Sequence, residues 1–137
     1  MSERLRWRFE ASDRVERLRK VSDELDAAIA VKGASKQTCF AARMVVEELV
    51  LNAFEHGGAG QVTLEASTDD DPLRLVFEDD GTLFDPTNRS ETDDAGAKES
   101  LSTRGRGLRM IHVAVQRVEH SSVDGRNRVT VTFALLS

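Results

Sequence analysis

The sequence of 137 residues has one cysteine and no long hydrophobic run. Cys39 cannot form an intramolecular disulfide, and because its neighbours are apolar we expect a small core residue rather than a catalytic thiol. No apolar segment approaches the roughly 20 residues that span a membrane, so we expect no membrane partner. The N-terminal segment MSERLRWRFE is too charged for a secretory signal, which predicts a cytoplasmic protein.

Basic residues are fewer than acidic ones, 19 against 24, and the net charge of −5 argues against direct nucleic-acid binding. The charge is unevenly distributed: acids dominate from Asp69 to Glu99, and arginines dominate from Arg104 to Arg128. Such a basic cluster near glycines can bind a phosphate, although a solvated positive face gives the same pattern. The length is that of one domain, which we place at residues 1–137.

Hydrophobic periodicity and capping residues predict the elements of this domain. The first helix is expected to have an apolar stripe beginning at Val15 and to end at Gly33. The predicted order is a strand from Arg4 to Phe9, a helix from Ser12 to about Val31, a helix from Ser35 to Gly57, strands Val62–Ala66 and Leu73–Glu78, a helix spanning Leu108 to Val115, and strands Val118–Val123 and Val129–Leu135 with a turn at Asp124-Gly125.

Between the predicted third and fourth strands, residues 79–106 are rich in small polar residues and have little to bury. A loop of this length is a functional lid or is disordered. Strands that can pair antiparallel, with helices available for one face, predict an α+β fold. We expect a two-layer sandwich with a mixed, mostly antiparallel sheet and a lid at about 86–106.

Three polar residues at helical spacing, Glu48, Asn52 and His56, interrupt the apolar segment VVEELVLNAFEHG. They form one stripe on a helix. A buried, unpaired polar group costs about 1–3 kcal/mol, so the stripe is expected to face a cleft. A solvated helix face would give the same spacing.

Two further motifs contain glycines. In EDDGTLFDP, from Glu78 to Pro86, a carboxylate leaving a strand can accept a hydrogen bond from a ligand's amino group, and Gly81 permits close approach. In RGRGLRMI, from Arg104 to Ile111, two glycines open a predicted helix whose free N–H groups can bind phosphate. Alone, each pattern also describes an ordinary acidic turn or a flexible helix entry.

Together the three motifs resemble those of the GHKL ATPases, which share the Bergerat fold, and most closely the anti-sigma factor serine/threonine kinases (RsbW-like proteins). The resemblance covers nearly the whole chain and implies ATP and Mg²⁺ as cofactors. It implies that Glu48 is the catalytic base, that Asn52 holds Mg²⁺, and that Asp79 binds the adenine amino group. The other implied nucleotide-binding residues are His56, Gly81, Phe84, Arg104, Gly105, Arg106, Gly107, Leu108 and Thr130.

The chain departs from the wider superfamily at two positions. Leu83 stands where gyrase-type members have a second glycine, a feature that the anti-sigma subgroup tolerates. The final strand lacks the Gly-Thr pair that marks a late ATP-contacting threonine, and we assign that role to Thr130.

By this resemblance the protein is an ATP-dependent serine/threonine kinase in a partner-switching system. It would bind a sigma factor or another effector and phosphorylate a STAS-domain antagonist. A non-catalytic, nucleotide-gated interaction module remains an alternative. Glu48 distinguishes the two readings, because a kinase needs a base at that position and a binding module does not. A detached histidine-kinase ATPase domain is a third reading, which the absence of a phosphoacceptor helix pair disfavours.

The first predicted strand also suggests an oligomer. Its alternation of apolar residues with arginines is compatible with a sheet that continues across a two-fold axis, which would make a homodimer. An ordinary edge strand blunted by its arginines explains the pattern equally well.

Overall fold

The computed structural model describes residues 4–68, 72–83 and 114–134. The elements in these ranges are β1 (Arg4–Glu10), a short 3₁₀ helix (Ala11–Asp13), α1 (Arg14–Val31), α2 (Lys36–Glu55), β2 (Gln61–Ser67), β3 (Leu73–Asp79), β4 (Val115–Val123) and β5 (Arg126–Phe133). The strands form one sheet in the order β1-β2-β3-β5-β4, and every neighbouring pair is antiparallel. This arrangement confirms the predicted α+β class.

One hydrophobic core lies between the two helices and one face of the sheet. β1 has the predicted alternation, since Trp7 and Phe9 are buried while the arginines between and beside them are exposed. From the helices, Leu25 and Ile29 of α1 and Val45 of α2 are fully buried in the same core. Residues of alternate parity on each strand form the opposite face of the sheet, which we call the outer face.

The start of α1 differs from the prediction. Ser12 lies in the 3₁₀ helix, and α1 begins two residues later with Asp13 as its N-cap residue. The Asp13 carboxylate accepts a hydrogen bond from the Glu10 backbone N–H at 3.1 Å. Val15 therefore lies in the first turn, where it is 68% exposed, and the buried stripe begins at Leu18.

The C-terminal hairpin confirms the turn at Asp124-Gly125 and corrects the end of the preceding helix. Asp124 and Gly125 have φ values of 53° and 77°, the left-handed conformation that tight two-residue hairpin turns require. Val115, predicted at the end of a helix, is a strand residue paired with Phe133. Burial of Val115 against the core favours the strand over continued helix.

A buried hydroxyl ties the start of α2 to the end of β5. Ser35 caps α2 as predicted, because its Oγ accepts a hydrogen bond from Thr38 N at 3.1 Å. Thr38 is fully buried, and its Oγ1 donates to the Ala134 carbonyl at 2.7 Å. This contact fixes the helix that carries the polar stripe against the sheet.

Replacing Thr38 by Val is expected to lower the free energy of unfolding by about 1–3 kcal/mol, because the Ala134 carbonyl loses its donor at nearly unchanged side-chain volume. Urea denaturation measures the change. Thr132→Val on the half-buried outer face of β5 is the control and is expected to stay within about 0.5 kcal/mol. A Thr38→Val protein as stable as this control would contradict the assigned role of the hydroxyl.

Cys39 packs against the core from α2 and is partly buried. Burial, followed by the neighbouring Asp26 carboxylate, raises the pKa of the Cys39 thiol. A raised pKa disfavours the nucleophilic thiolate, which agrees with the interpretation of Cys39 as a core residue.

Candidate functional site

The polar stripe of α2 lies on one side of the helix near its C-terminal end. Glu48 and Asn52 are both half-buried, and the Asn52 Nδ2 donates to Glu48 Oε2 at 3.5 Å, a long hydrogen bond. His56 follows as the C-cap residue and is exposed. Val46 and Val50, on the core side of the helix, are fully buried. The structure thus places a carboxylate and an amide together at the edge of the core.

The carboxylate at the end of β3 is held by two donors. Asp79 continues the alternation of the buried face after Phe77, so its side chain lies on the helix side of the sheet. Its Oδ1 accepts from Gly81 N at 2.8 Å and from Asn127 Nδ2 at 3.0 Å. No hydrogen bond from the described residues reaches Oδ2 of Asp79, so this oxygen can accept one from a ligand.

The backbone joins this carboxylate to the end of α2. Gly57, just after the helix, donates its N–H to the Asn52 carbonyl at 3.0 Å. Its own carbonyl accepts from Thr82 N, in the turn that follows Asp79, at 2.9 Å. The polar stripe and the Asp79 carboxylate therefore belong to one continuous hydrogen-bonded unit, which we call the α2–β3 junction (residues 52–61 and 79–82).

Asp80 closes the other side of the junction. Its Oδ1 accepts from Gly60 N at 2.8 Å and from Gln61 N at 3.1 Å. The bond from Gln61 lowers the pKa of the Asp80 carboxyl most; slight burial opposes this effect, and the bond from Gly60 adds to it. Folding lowers the pKa of the Asp80 carboxyl, so its two hydrogen bonds stabilise the folded state fully above the pKa of the unfolded chain, near pH 4. This stabilisation is lost as the pH falls through the pKa of the folded protein.

A close backbone approach explains the glycine at position 81. A Cβ on Gly81 would lie 2.6 Å from the Gly57 carbonyl oxygen. Gly81→Ala is therefore expected to separate the two halves of the junction and to lower the free energy of unfolding by about 1–3 kcal/mol in guanidinium denaturation.

Gly60→Ala, in the same junction, is the matched control for this substitution. Its Cβ would meet Asp80 Oδ2 and Oδ1 at ordinary contact distances of 3.5 and 3.9 Å. We expect a change of no more than about 0.5 kcal/mol. Equal stability of the two variants would show that the close contact at Gly81 relaxes without strain.

Asn127 is a site residue that the sequence analysis missed. It is 3% exposed and lies directly opposite Asp79 in the pairing of β3 with β5. Its Nδ2 donates both to Asp79 and to the Thr82 carbonyl, the latter at 2.8 Å. The sequence holds a signal for it: Asn127 precedes Val129 and Val131 at the spacing of the buried face, where a polar side chain is unusual.

Thr130 is not at this site, which corrects its assignment as a nucleotide-contacting residue. It is opposite Val76 and Glu119 on the neighbouring strands and belongs to the outer face. Asp79 belongs to the helix side of the sheet. Side chains alternate between faces along a strand, so a residue three positions after Asn127 lies on the opposite face from it.

Six of the predicted nucleotide-binding residues lie outside the described residues: Phe84, Arg104, Gly105, Arg106, Gly107 and Leu108. The same holds for the predicted lid at about 86–106 and for residues 108–113 of the predicted helix.

The donor set of α2 suits a magnesium ion that binds together with phosphates. In residues 4–68, 72–83 and 114–134, no group of three His, Cys, Asp or Glu side chains could hold a metal by itself. Mg²⁺ prefers oxygen ligands and usually takes one or two from the protein, the rest coming from water and phosphate. Because Asn52 uses Nδ2 towards Glu48, its Oδ1 can serve as an oxygen ligand.

Comparison with known proteins agrees with this geometry. The family model described as a histidine kinase-like ATPase domain matches residues 11–133, which include α2, the junction and Asn127. No curated protein matches the chain. Neither α1 nor α2, the helices of the described ranges, is both long and apolar enough to cross a membrane.

Proposed function

Because the chain belongs to the histidine kinase-like ATPase domain family, we propose that it is an ATP-dependent protein serine/threonine kinase of the anti-sigma factor type. Family membership supports ATP binding. The observation that supports a kinase is the contact between Glu48 and Asn52, which sets a carboxylate one helical turn from the proposed metal ligand. A module that only binds nucleotide would not need a carboxylate at that position.

The adenine end of the nucleotide is proposed to bind at the α2–β3 junction. Asp79 Oδ2 would accept a hydrogen bond from the 6-amino group of adenine, a donor at the position where guanine has an acceptor oxygen. The tight contact of Gly81 with Gly57 would hold the turn after Asp79 in place when the base binds. This geometry supports a preference for adenine nucleotides.

The phosphate end is proposed to lie at the polar stripe of α2. Asn52 Oδ1 would hold a bound Mg²⁺, which neutralises phosphate charge and orients the phosphates for transfer. Glu48 would take the proton of the attacking serine or threonine hydroxyl as its oxygen bonds to the γ-phosphorus. The bond from the γ-phosphorus to the bridging oxygen breaks, and ADP leaves with that oxygen.

The proposed partners follow from the same resemblance. The acceptor of the phosphoryl group would be a STAS-domain antagonist, and the protein would alternately bind a sigma factor or another effector. Phosphorylation adds about −1.5 to −2 charges, and a phosphate placed in a protein interface disfavours binding through desolvation and like-charge repulsion. The proposed location is the cytoplasm, and the homodimer through the β1 edge also stays a proposal.

The test is capture of binding partners on the immobilised protein, followed by incubation with ATP labelled in the γ-phosphate. We expect label on a bound partner, at serine or threonine, and therefore stable to acid. Acid-labile label would indicate phosphohistidine and a histidine-kinase relationship. Nucleotide-dependent capture without any transfer, by a protein that binds ATP, would favour the gated interaction module.

A further inference from the structure

The buried amide of Asn127 is unusual because every other described residue of its face on β5 is a hydrophobic side chain. Burial of an amide is tolerated only when its polar atoms find partners. Here Nδ2 donates to two acceptors of the α2–β3 junction, Asp79 Oδ1 at 3.0 Å and the Thr82 carbonyl at 2.8 Å. The two hydrogens of Nδ2 thus have two acceptors, which fixes the orientation of the amide.

This amide acts on the carboxylate of Asp79. With Gly81 N and Asn127 Nδ2 both on Oδ1, rotation of the carboxylate would break two hydrogen bonds. Charge-assisted bonds of this kind are about twice as strong as neutral ones. Since Asn127 lies opposite Asp79 in the sheet register, rigid strands set the distance between the two side chains.

We infer that Asn127 is a positioning residue for nucleobase selection: by binding Oδ1 of Asp79, it holds Oδ2 towards the 6-amino group of a bound adenine. This inference rests on the proposed function. Without the Asn127 amide, the Gly81 N–H would be the one donor to Asp79 left among residues 4–68, 72–83 and 114–134, and the carboxylate could turn away from the base. Asn127 would then contribute to selectivity through Asp79, with no contact of its own to the amino group.

The test compares ADP with purine riboside 5′-diphosphate, which lacks the 6-amino group, by isothermal titration calorimetry. The wild type is expected to bind ADP about tenfold or more tightly than the analogue, because a hydrogen bond to a carboxylate is lost. Asn127→Ala should narrow this ratio by about five- to tenfold, through weaker ADP binding alone. Thr132→Ala, on the outer face of the same strand, is the matched control and should leave the ratio unchanged.

The outcomes of this test distinguish a positioning role of Asn127 in base selection from a general structural role. Equal weakening of both nucleotides by Asn127→Ala would overturn the inference and leave Asn127 a general structural residue. A wild type that binds both nucleotides equally would overturn it too, while leaving nucleotide binding itself intact. A wild type that binds neither would remove the proposed function, and the inference with it.

Asn127→Asp preserves the volume of the buried side chain and tests the same inference if the alanine variant does not fold. Two carboxylates would then face each other across about 3 Å, and such a pair takes up one proton. The shared proton restores a donor to Asp79 Oδ1, so the ratio of ADP to analogue affinity should recover as the pH falls from about 8 to about 5. A wild-type-like ratio at every pH in this variant would contradict the inference.

Discussion

Replacement of Glu48 by Gln is expected to slow phosphoryl transfer to the protein substrate by about 10²–10⁴-fold while leaving ATP affinity unchanged. The amide retains the size and hydrogen-bonding capacity of the carboxylate but cannot accept the proton of the attacking hydroxyl. Glu48 is half-buried at the edge of the core, and its described partner is the Asn52 amide at 3.5 Å. A glutamine oxygen can accept the same bond, so the fold and the metal ligand should persist.

Glu47→Gln is the matched control, because Glu47 is the adjacent residue on α2, is exposed, and loses the same charge. Single-turnover transfer from labelled ATP to a purified STAS-domain partner separates the two variants. We expect wild-type transfer from Glu47→Gln. Undiminished phosphoryl transfer by Glu48→Gln would show that Glu48 is not the catalytic base, whatever the effect of the control substitution.

The second large effect is expected for Asn52→Ala, which should weaken ADP binding at least about tenfold in the presence of Mg²⁺. The reason is that Asn52 Oδ1 is the proposed protein ligand of a metal that otherwise binds phosphates and water. In excess chelator the wild type and the variant should bind ADP with similar affinity. This difference between the two conditions distinguishes loss of a metal ligand from a general defect of the site.

Gln37→Ala provides the control for this substitution, since it removes an exposed amide from the first turns of the same helix. We expect no change in ADP affinity with or without Mg²⁺. If Asn52→Ala weakened binding equally under both conditions, its side chain would bind the nucleotide directly and the metal assignment would be wrong. Unfolding of Asn52→Ala is not expected, because its side chain is only half-buried.

The parts of the fold that the sequence predicted well are those with strong local signals. The alternation in β1 predicted which of its side chains are buried, because one face of an antiparallel strand packs on the core. Ser35 caps α2 with its own hydroxyl, and Asp124-Gly125 adopts the left-handed turn expected between the last strands. Each of these features depends on a few neighbouring residues, so the sequence alone specifies them.

The errors arose where hydrophobic periodicity alone does not decide the outcome. Val115 has a side chain that suits either a helix or a strand, and its pairing with Phe133 decides for the strand. Val15 has an apolar side chain in a helix, yet α1 begins too late in the chain for this residue to be buried. Neither outcome follows from local periodicity.

The candidate site also combines features that local sequence specifies with features that depend on the register of the sheet. The alignment of Glu48, Asn52 and His56 on one face of α2 could be predicted, because residues four apart share a helix face. Thr130 was misplaced because a shift of one residue along a strand moves a side chain to the other face of the sheet. Asn127 could be found by its polar side chain at a buried position, but its partner Asp79 is identified only by the register of β3 with β5. The lid motif lies outside the described residues, so that part of the site stays a prediction.

The most direct test of the account is calorimetric titration of Mg·ADP into the wild type, into Asp79→Asn and into Asp124→Asn. We predict a micromolar Kd for the wild type, on the order of −8 kcal/mol, and a loss of about tenfold or more in Asp79→Asn, where a donor replaces one acceptor oxygen. Asp124→Asn loses the same charge in the exposed hairpin turn, where asparagine tolerates the φ of 53°, and should bind as the wild type does. Absence of binding heat in the wild type, or equal affinity of the wild type and Asp79→Asn, would contradict an adenine-nucleotide site at the α2–β3 junction.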